Sequence, residues 1–253
     1  MGPPVTFALT VLGTSGRFAT AARACSSYLL ELGDARVWLD AGGGSWRNLL
    51  SHVSFSEVDG VILTHRHPDH TIDLFQLAYA IRYGLAEPLD RIPLWAPQET
   101  VDRIAAYDAD IDEAFDVRVV AAGDVVDVAG AKVSFVRMAH PPETLGVRVE
   151  RDGRVLAYSA DSGPAADFDA LSAGADVFVC EATLQNADTP WEGHLSAAQA
   201  GAIAARVGAR RLYLTHFKYG RDERVSLDEA RAAAGAGVLV EIARDDERVE
   251  VGA

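Results

Sequence analysis

The run Thr64-His65-Arg66-His67-Pro68-Asp69-His70 places three imidazoles and a carboxylate within six residues. Imidazole and carboxylate together suit zinc, manganese or iron. His65 and His67 are two positions apart, so both can turn to one side of an extended segment. Pro68 fixes the backbone turn that precedes Asp69 and His70. A polar loop satisfied by its own hydrogen bonds is the plain alternative. Spending four ligand-type side chains in so short a stretch argues for a metal site instead.

The chain has seven histidines, and the others fall into a pattern. His140 follows the strand-like run Lys132–Met138, and His216 follows Arg211–Thr215. Asp161 follows Arg154–Ser159, and His194 stands just before a helix start at Ser196. Sites in layered α/β proteins gather where strands end and helices begin. Any one of these residues alone reads as structural; together they extend the candidate site. His52 has no such placement and reads as a surface histidine.

Elements able to hold these residues can be traced from the first turn onward. Strand-like segments cover Val5–Leu12, Ser26–Leu32, Val37–Leu39, Val61–Leu63, Ile92–Trp95 and Arg118–Val120. They resume at Lys132–Met138, Leu145–Glu150, Arg154–Ser159, Asp176–Cys180, Arg211–Leu214 and Val238–Ile242. Val, Leu and aromatic enrichment with Gly or Asp-Gly boundaries carries these readings. Gly33-Asp34 and Asp152-Gly153 are hairpin signals. Helical spacing covers Thr71–Tyr83. Ser196 is the expected N-cap of Ala197–Val207, which Gly208 ends, and Ser226 the expected N-cap of Leu227–Ala234. The stretch Ala96–Asp116 fits either a lid or a helix pair. The order strands, helix, strands, helix occurs twice, and hairpins dominate each half. Two mixed sheets with helices outside fit this better than a doubly wound parallel sheet.

Length and composition set the outer bounds. A single α/β domain can hold all residues, 1–253, and 49% apolar content supports a sizeable core. The net charge of −14, from 37 acidic and 23 basic residues, does not favour phosphate backbones over the whole surface. A nucleic-acid substrate would have to be held locally. Cys25 and Cys180 cannot make a disulfide framework, and Cys180 reads as a packed thiol at the end of a buried strand. Met1-Gly2-Pro3-Pro4 lacks the features of a signal peptide, and no stretch reaches the roughly 20 apolar residues of a membrane span. A cytoplasmic protein without membrane partners is the expectation.

The pattern His-x-His-x-Asp-His, followed by a lone His, an Asp and a final His, resembles the metallo-β-lactamase fold superfamily. The resemblance runs from Val11-Leu12-Gly13-Thr14 past His216. Glu181-Ala182-Thr183-Leu184, Gly193-His194-Leu195-Ser196 and Gln199-Ala200 are similar to the branch holding ribonuclease Z and bacterial cyclic-nucleotide phosphodiesterases. Ala139-His140-Pro141 and Tyr158-Ser159-Ala160-Asp161-Ser162-Gly163 match both groups. The resemblance implies an α/β four-layer αββα sandwich and two metal ions, zinc first, with manganese or iron as alternatives. It implies that His65, His67 and His140 hold one metal, that Asp69, His70 and His216 hold the other, and that Asp161 bridges them. Asp69, His194 and Glu181 make up the catalytic set. His194 would support the transition state and leaving group, with Glu181 orienting it. A surface salt bridge after a strand is the plain reading of Glu181.

Two departures matter. The family's Gly-Asp-Thr at the bridging aspartate is here Ala160-Asp161-Ser162, which keeps the hydroxyl. The interval from His140 to Asp161 is 21 positions, room for one hairpin, whereas bacterial ribonucleases Z carry a long tRNA-gripping arm there. The basic loop of those nucleases is poorly matched by Arg17 and Arg23. A dinuclear phosphodiesterase for a small substrate such as a cyclic nucleotide is therefore the leading expectation. tRNA 3′-end processing, carboxylic ester, lactone or thioester hydrolysis, and a catalytically inactive binding or scaffold subunit are the rivals. A homodimer is expected by resemblance.

Overall fold

The structure is a computed structural model that describes residues 6–252, so Val5, the expected start of the first strand, lies outside the described residues. The first half contains β1 (Phe7–Gly13), β2 (Ser27–Leu32), β3 (Ala35–Ala41), α1 (Ser45–His52) and β4 (Gly60–Ile62). It continues with α2 (Pro68–Thr71), α3 (Leu74–Tyr83), β5 (Ile92–Ala96), α4 (Gln98–Tyr107) and β6 (Phe115–Val119). The second half contains β7 (Val125–Val128), β8 (Ala131–Arg137), β9 (Leu145–Arg151), β10 (Arg154–Tyr158), α5 (Phe168–Ser172) and β11 (Val177–Glu181). It ends with α6 (Ala197–Val207), β12 (Arg211–Thr215), α7 (Glu223–Ala234) and β13 (Leu239–Ile242), after which β14 (Arg248–Glu250) returns to the first sheet.

The strands form two seven-stranded mixed sheets, ordered β14-β1-β2-β3-β4-β5-β6 and β13-β12-β11-β10-β9-β8-β7, with β14 completing the sheet of the first half. In both sheets the hairpin-linked strands pair antiparallel and the helix-linked strands pair parallel. The inner faces meet in one core containing Phe7, Tyr28, Leu39, Phe135, Val147 and Tyr158. A second apolar layer packs α5, α6 and α7 on the outer face of one sheet, with Phe168, Phe178 and Ile203 among its members. A third packs α1, α3 and α4 on the other, around Trp38, Leu77 and Ile104. This is the αββα sandwich expected from the sequence. Both cysteines are free and buried, and no helix among the described residues is long and apolar enough to cross a membrane.

Several element boundaries differ from the sequence reading. The helical pattern over Thr71–Tyr83 is two helices, because α2 starts at Pro68 and ends before α3 begins at Leu74. Helix α7 starts at Glu223, where the Asp222 side chain accepts the Arg224 N–H. An aspartate cap with Glu223 behind it suits the positive helix end. Ser226 is instead buried within α7 and bonded to Gln185 Nε2 at 3.0 Å. Helices α1 and α5 and edge strands β7 and β14 were not expected. The stretch Ala96–Asp116 is the end of β5, α4, a short 3-10 turn and the start of β6.

Candidate metal centre

The candidate residues meet where parallel strands of both sheets end. Asp40 lies at the end of β3, His65 to His70 follow β4, and Asp161 follows β10. Glu181 closes β11, and His216 follows β12. Cross-sheet bonds hold the two edges together. The Tyr158 hydroxyl of β10 donates to Asp40 at 3.0 Å, and Tyr28 and Thr215 hydroxyls lie 2.7 Å apart. Asp40, Ala160 and His216 all adopt positive φ, a conformation that costs energy for residues with a Cβ and tends to persist at functional sites. Close approach also demands glycine. A Cβ on Gly16 would stand 2.8 Å from the His216 ring, and one on Gly163 would meet the Glu192 carbonyl at 1.5 Å. The second contact seats the loop carrying His194 against the loop carrying Asp161.

The donor atoms fall into two groups that share Asp161. His65 Nε2 lies 3.1 Å from His67 Nδ1, and His140 Nε2 lies 3.3 Å from the same nitrogen. Asp161 Oδ2 is 3.8 Å from both His65 Nε2 and His140 Nε2. On the other side, Asp161 Oδ1 is 3.3 Å from His70 Nε2 and 3.3 Å from His216 Nε2. Asp69 Oδ2 completes that group, 3.4 Å from His216 Nε2 and 4.0 Å from His70 Nε2. His194 is adjacent to both groups, with a ring nitrogen within 4.8 Å of donors from Asp161 and His216. His52 stands apart, exposed and bonded to Asp246.

These residues fit metal ions. His70 Nε2 and Asp161 Oδ1 are buried without a hydrogen-bond partner. An orphaned buried polar atom costs about 1–3 kcal/mol, and a cation between these donors would remove that cost. The nitrogen spacings also suit the ~3.3 Å ligand separation implied by Zn–N distances of about 2.05 Å in a tetrahedron.

On His65, His70, His140 and His216 the opposite ring nitrogen is tied down, as is usual around a metal. His70 Nδ1 donates to Asp40 at 2.7 Å, and His140 Nδ1 donates to the Gly193 carbonyl at 2.7 Å. His65 Nδ1 lies 3.1 Å from the Thr64 hydroxyl, which itself donates to Asp40. His216 Nδ1 donates to the Thr183 hydroxyl at 2.7 Å, and that hydroxyl donates to Glu181 at 2.6 Å. The Arg17 backbone N–H donates to Asp69 Oδ2 at 2.5 Å.

Electrostatics divide the two groups. Burial pushes His65, His67 and His140 below the ordinary histidine value, leaving neutral, ligand-competent imidazoles. Burial also opposes charge on His70 and His216, but the Asp161 carboxylate outweighs it and lifts both above the ordinary value. In return, His216 and His70 hold Asp161 well below the usual carboxylate range against its own burial.

Glu181 is fully buried, which removes the plain alternative of a surface ion pair. It accepts hydrogen bonds from His194 Nδ1, the Ser162 N–H and the Thr183 hydroxyl. The structure thus brings together all nine residues named from sequence. Asp40, Thr64, Tyr158, Thr183 and Trp191 were missed. Trp191 stands edge-on to His140 and His194, at centroid distances of 5.7 and 4.8 Å. A strand-end signal existed for Asp40, which follows the apolar run Val37–Leu39; the hydroxyls carried none.

Known proteins agree with this geometry. The family described as "Beta-lactamase superfamily domain" matches residues 11–217, which span every one of the nine. An uncharacterized protein of Mycobacterium leprae is 35% identical over 241 residues, covering 91% of this chain and 84% of the relative. Ribonuclease Z of Thermobifida fusca is 30% identical, covering 96% of this chain and 94% of the relative. In fold, the chain is similar to the crystal structure of the metallo-beta-lactamase fold protein YhfI from Bacillus subtilis. The TM-score is 0.89 at 24% identity, over 98% of this chain and 100% of that one. Sequence match, sandwich topology and a clustered donor set converge on one assignment: the chain belongs to the metallo-β-lactamase superfamily and is a metal-dependent hydrolase of it.

Proposed function

We propose that this hydrolase cleaves a small phosphodiester, such as a cyclic nucleotide, with two metal ions. The observation that carries the reading is the buried Glu181–His194 pair beside the donor groups. An alkoxide leaving from phosphorus needs a proton, and a positioned imidazole can deliver one. An alkoxide leaving a carboxylic ester or lactone needs a proton too, so the pair argues for a poor leaving group, and the likeness to relatives named ribonuclease Z is what favours phosphorus over carbon.

His65, His67, His140 and Asp161 Oδ2 would hold one ion; Asp69, His70, His216 and Asp161 Oδ1 would hold the other. Bound there, two divalent ions supply positive charge to the phosphoryl oxygens and lower the pKa of a water molecule. The remaining work belongs to the protein. Glu181 accepts from His194 Nδ1 and holds the ring in one orientation, which leaves Nε2 to pass a proton to the leaving oxygen. Glu181 also steadies His216 through Thr183, so one carboxylate serves the acid and a donor. Trp191 packs beside His194 and limits its rotation and solvation.

Relatives named ribonuclease Z make precursor tRNA the second reading. Substrate size separates the two. Between His140 and Asp161 the chain forms the β9–β10 hairpin alone. The alignment with the Thermobifida fusca ribonuclease Z spans 300 positions, more than the 253 residues here, so that relative carries residues without a counterpart. The acidic charge also favours a small ligand over a long polyanion. Zinc- or manganese-loaded protein assayed on cyclic AMP and on precursor tRNA distinguishes them. Turnover of cyclic AMP without salt-sensitive tRNA cleavage is the expected result; efficient tRNA cleavage alone reverses it.

A further inference from the structure

A cavity of about 340 Å³ opens beside the donor groups, with His67 in its wall. It is small for a ligand site, at the low end of the usual ~300–1,000 Å³. His67 is half-buried, whereas His65, His70, His140 and His216 are at most 5% exposed, so the most accessible of these five histidines is the one that borders the cavity. The opposite wall comes from α3 and α4. Phe75 and Tyr107 meet there in a tilted contact, at a centroid distance of 4.4 Å and an angle of 40°. Tyr107 is 72% exposed and Ile72 is 42% exposed, an apolar surface left in water beside a reactive centre.

Charge at the rim runs against the acidic whole. Arg66 and Arg103 both line the cavity. Arg66 is shared with Glu99 at 3.4 Å in an exposed pair, which is worth little. Arg103 forms no ion pair among the described residues. Beyond the rim, Glu99 and Asp102 line the adjoining depression. Two guanidiniums therefore favour one anionic group, and the carboxylates behind them disfavour a continuing polyanion.

Resting on the phosphodiesterase reading, we propose that this cavity is the subsite for the base of a nucleotide phosphodiester. The base stacks on Tyr107 and Phe75, while Arg66 and Arg103 attract the phosphate that His67 borders. Segment 96–116 thereby has a role: α4 is a specificity wall. An aromatic face tolerates any base, because each presents a π-surface. Size and charge together select a mononucleotide or cyclic nucleotide.

Calorimetric titration of metal-loaded protein with 5′-AMP and with ribose 5-phosphate tests this, alongside cyclic AMP turnover. Tyr107→Ala should keep the fold and metal content, since its side chain lies largely in solvent. It should raise the Kd of 5′-AMP about tenfold, within the ~5- to 150-fold range of a lost base–aromatic stack. Its Kd for ribose 5-phosphate should move less than about twofold, and Tyr107→Trp should restore 5′-AMP binding. Arg103→Gln should weaken both ligands alike. Unchanged 5′-AMP affinity in Tyr107→Ala, or equal loss of both ligands, overturns the subsite even if wild-type protein hydrolyses cyclic AMP. Wild-type protein that hydrolyses no phosphodiester overturns the underlying reading instead.

Discussion

His194 Nδ1 donates to Glu181 Oε1 across 2.7 Å, at a point where the histidine is 5% exposed and the glutamate not at all. A histidine so held keeps one tautomer and one orientation. If it supplies a proton and is not a ligand, His194→Ala retains both metals and the fold. Its turnover falls by roughly 10²–10⁴ on alkyl phosphodiesters, and by less on bis(p-nitrophenyl) phosphate, whose leaving group needs little protonation. Elemental analysis beside steady-state rates checks this; a lost metal would make His194 a ligand. Glu181→Gln goes further than mis-orienting one ring. The amide must turn its NH2 either to Ser162 and His194, which share one oxygen, or to Thr183 on the other, so one set of donors loses its acceptor and about 1–3 kcal/mol of stability is expected to go as well, visible as a lower denaturant midpoint.

Asp161 offers one oxygen to each donor group. Asp161→Ala is therefore expected to weaken both metal sites, leaving zero to one ion per chain. His140→Ala touches one group alone and should retain about one ion per chain with little activity. Two ions retained in the Asp161 variant, or equal loss of both in the His140 variant, contradicts the division of ligands.

Asp40 touches no substrate but binds His70, Thr64 and Tyr158. Asp40→Asn keeps the shape while removing the charge and forcing a donor against other donors. Metal affinity should fall by about 10–100-fold, as for other residues behind a ligating histidine. Competition with a chromogenic chelator measures it. Unchanged affinity would reduce Asp40 to a packing role.

Asp161 lifts His70 and His216 above the ordinary histidine value despite their burial. Both therefore keep a proton to higher pH than an ordinary histidine in the metal-free protein, and an incoming ion must displace those protons. Metal binding is expected to release protons and to tighten as pH rises through these raised values. Folding linkage has the matching sign. The pairing stabilises metal-free protein at pH below the unfolded histidine value, and that contribution fades as pH climbs through the folded one. Titrations in buffers of different ionisation enthalpy count the protons; proton release that ends at the pH of an ordinary histidine, instead of extending above it, would contradict the charge assignment.

Much of the site can be read in the sequence because its strongest part is contiguous. His65, His67, Asp69 and His70 lie within six residues, on the loop after β4 and the first turn of α2, so their spacing alone states the chemistry. His140, Asp161 and His216 are legible through the strand endings that precede them. Glu181 resists that treatment. Its burial depends on Ser162, Thr183 and His194 supplying donors from three separate segments, which no local pattern announces. Asp40 is hidden for the same reason, since Tyr158 reaches it from the other sheet. The fold shows a parallel limit. Long alternating strands such as β8 and β9 declare themselves. Edge strand β7, with Val125 55% exposed, exists by virtue of pairing with β8. The helical spacing over Thr71–Tyr83 belongs to α3 from Leu74 onward, while Ile72, which extends the pattern across the junction with α2, is 42% exposed.

Cyclic AMP hydrolysis by protein freed of metal and reloaded with defined zinc or manganese bears most directly on the proposed activity. Chromatography of the reaction resolves cyclic AMP from the adenosine monophosphate formed on ring opening. The account predicts stoichiometric nucleotide release that depends on added metal and drops in His194→Ala. No phosphodiester cleavage with either metal, together with hydrolysis of a carboxylic ester or lactone by the same preparation, would contradict it.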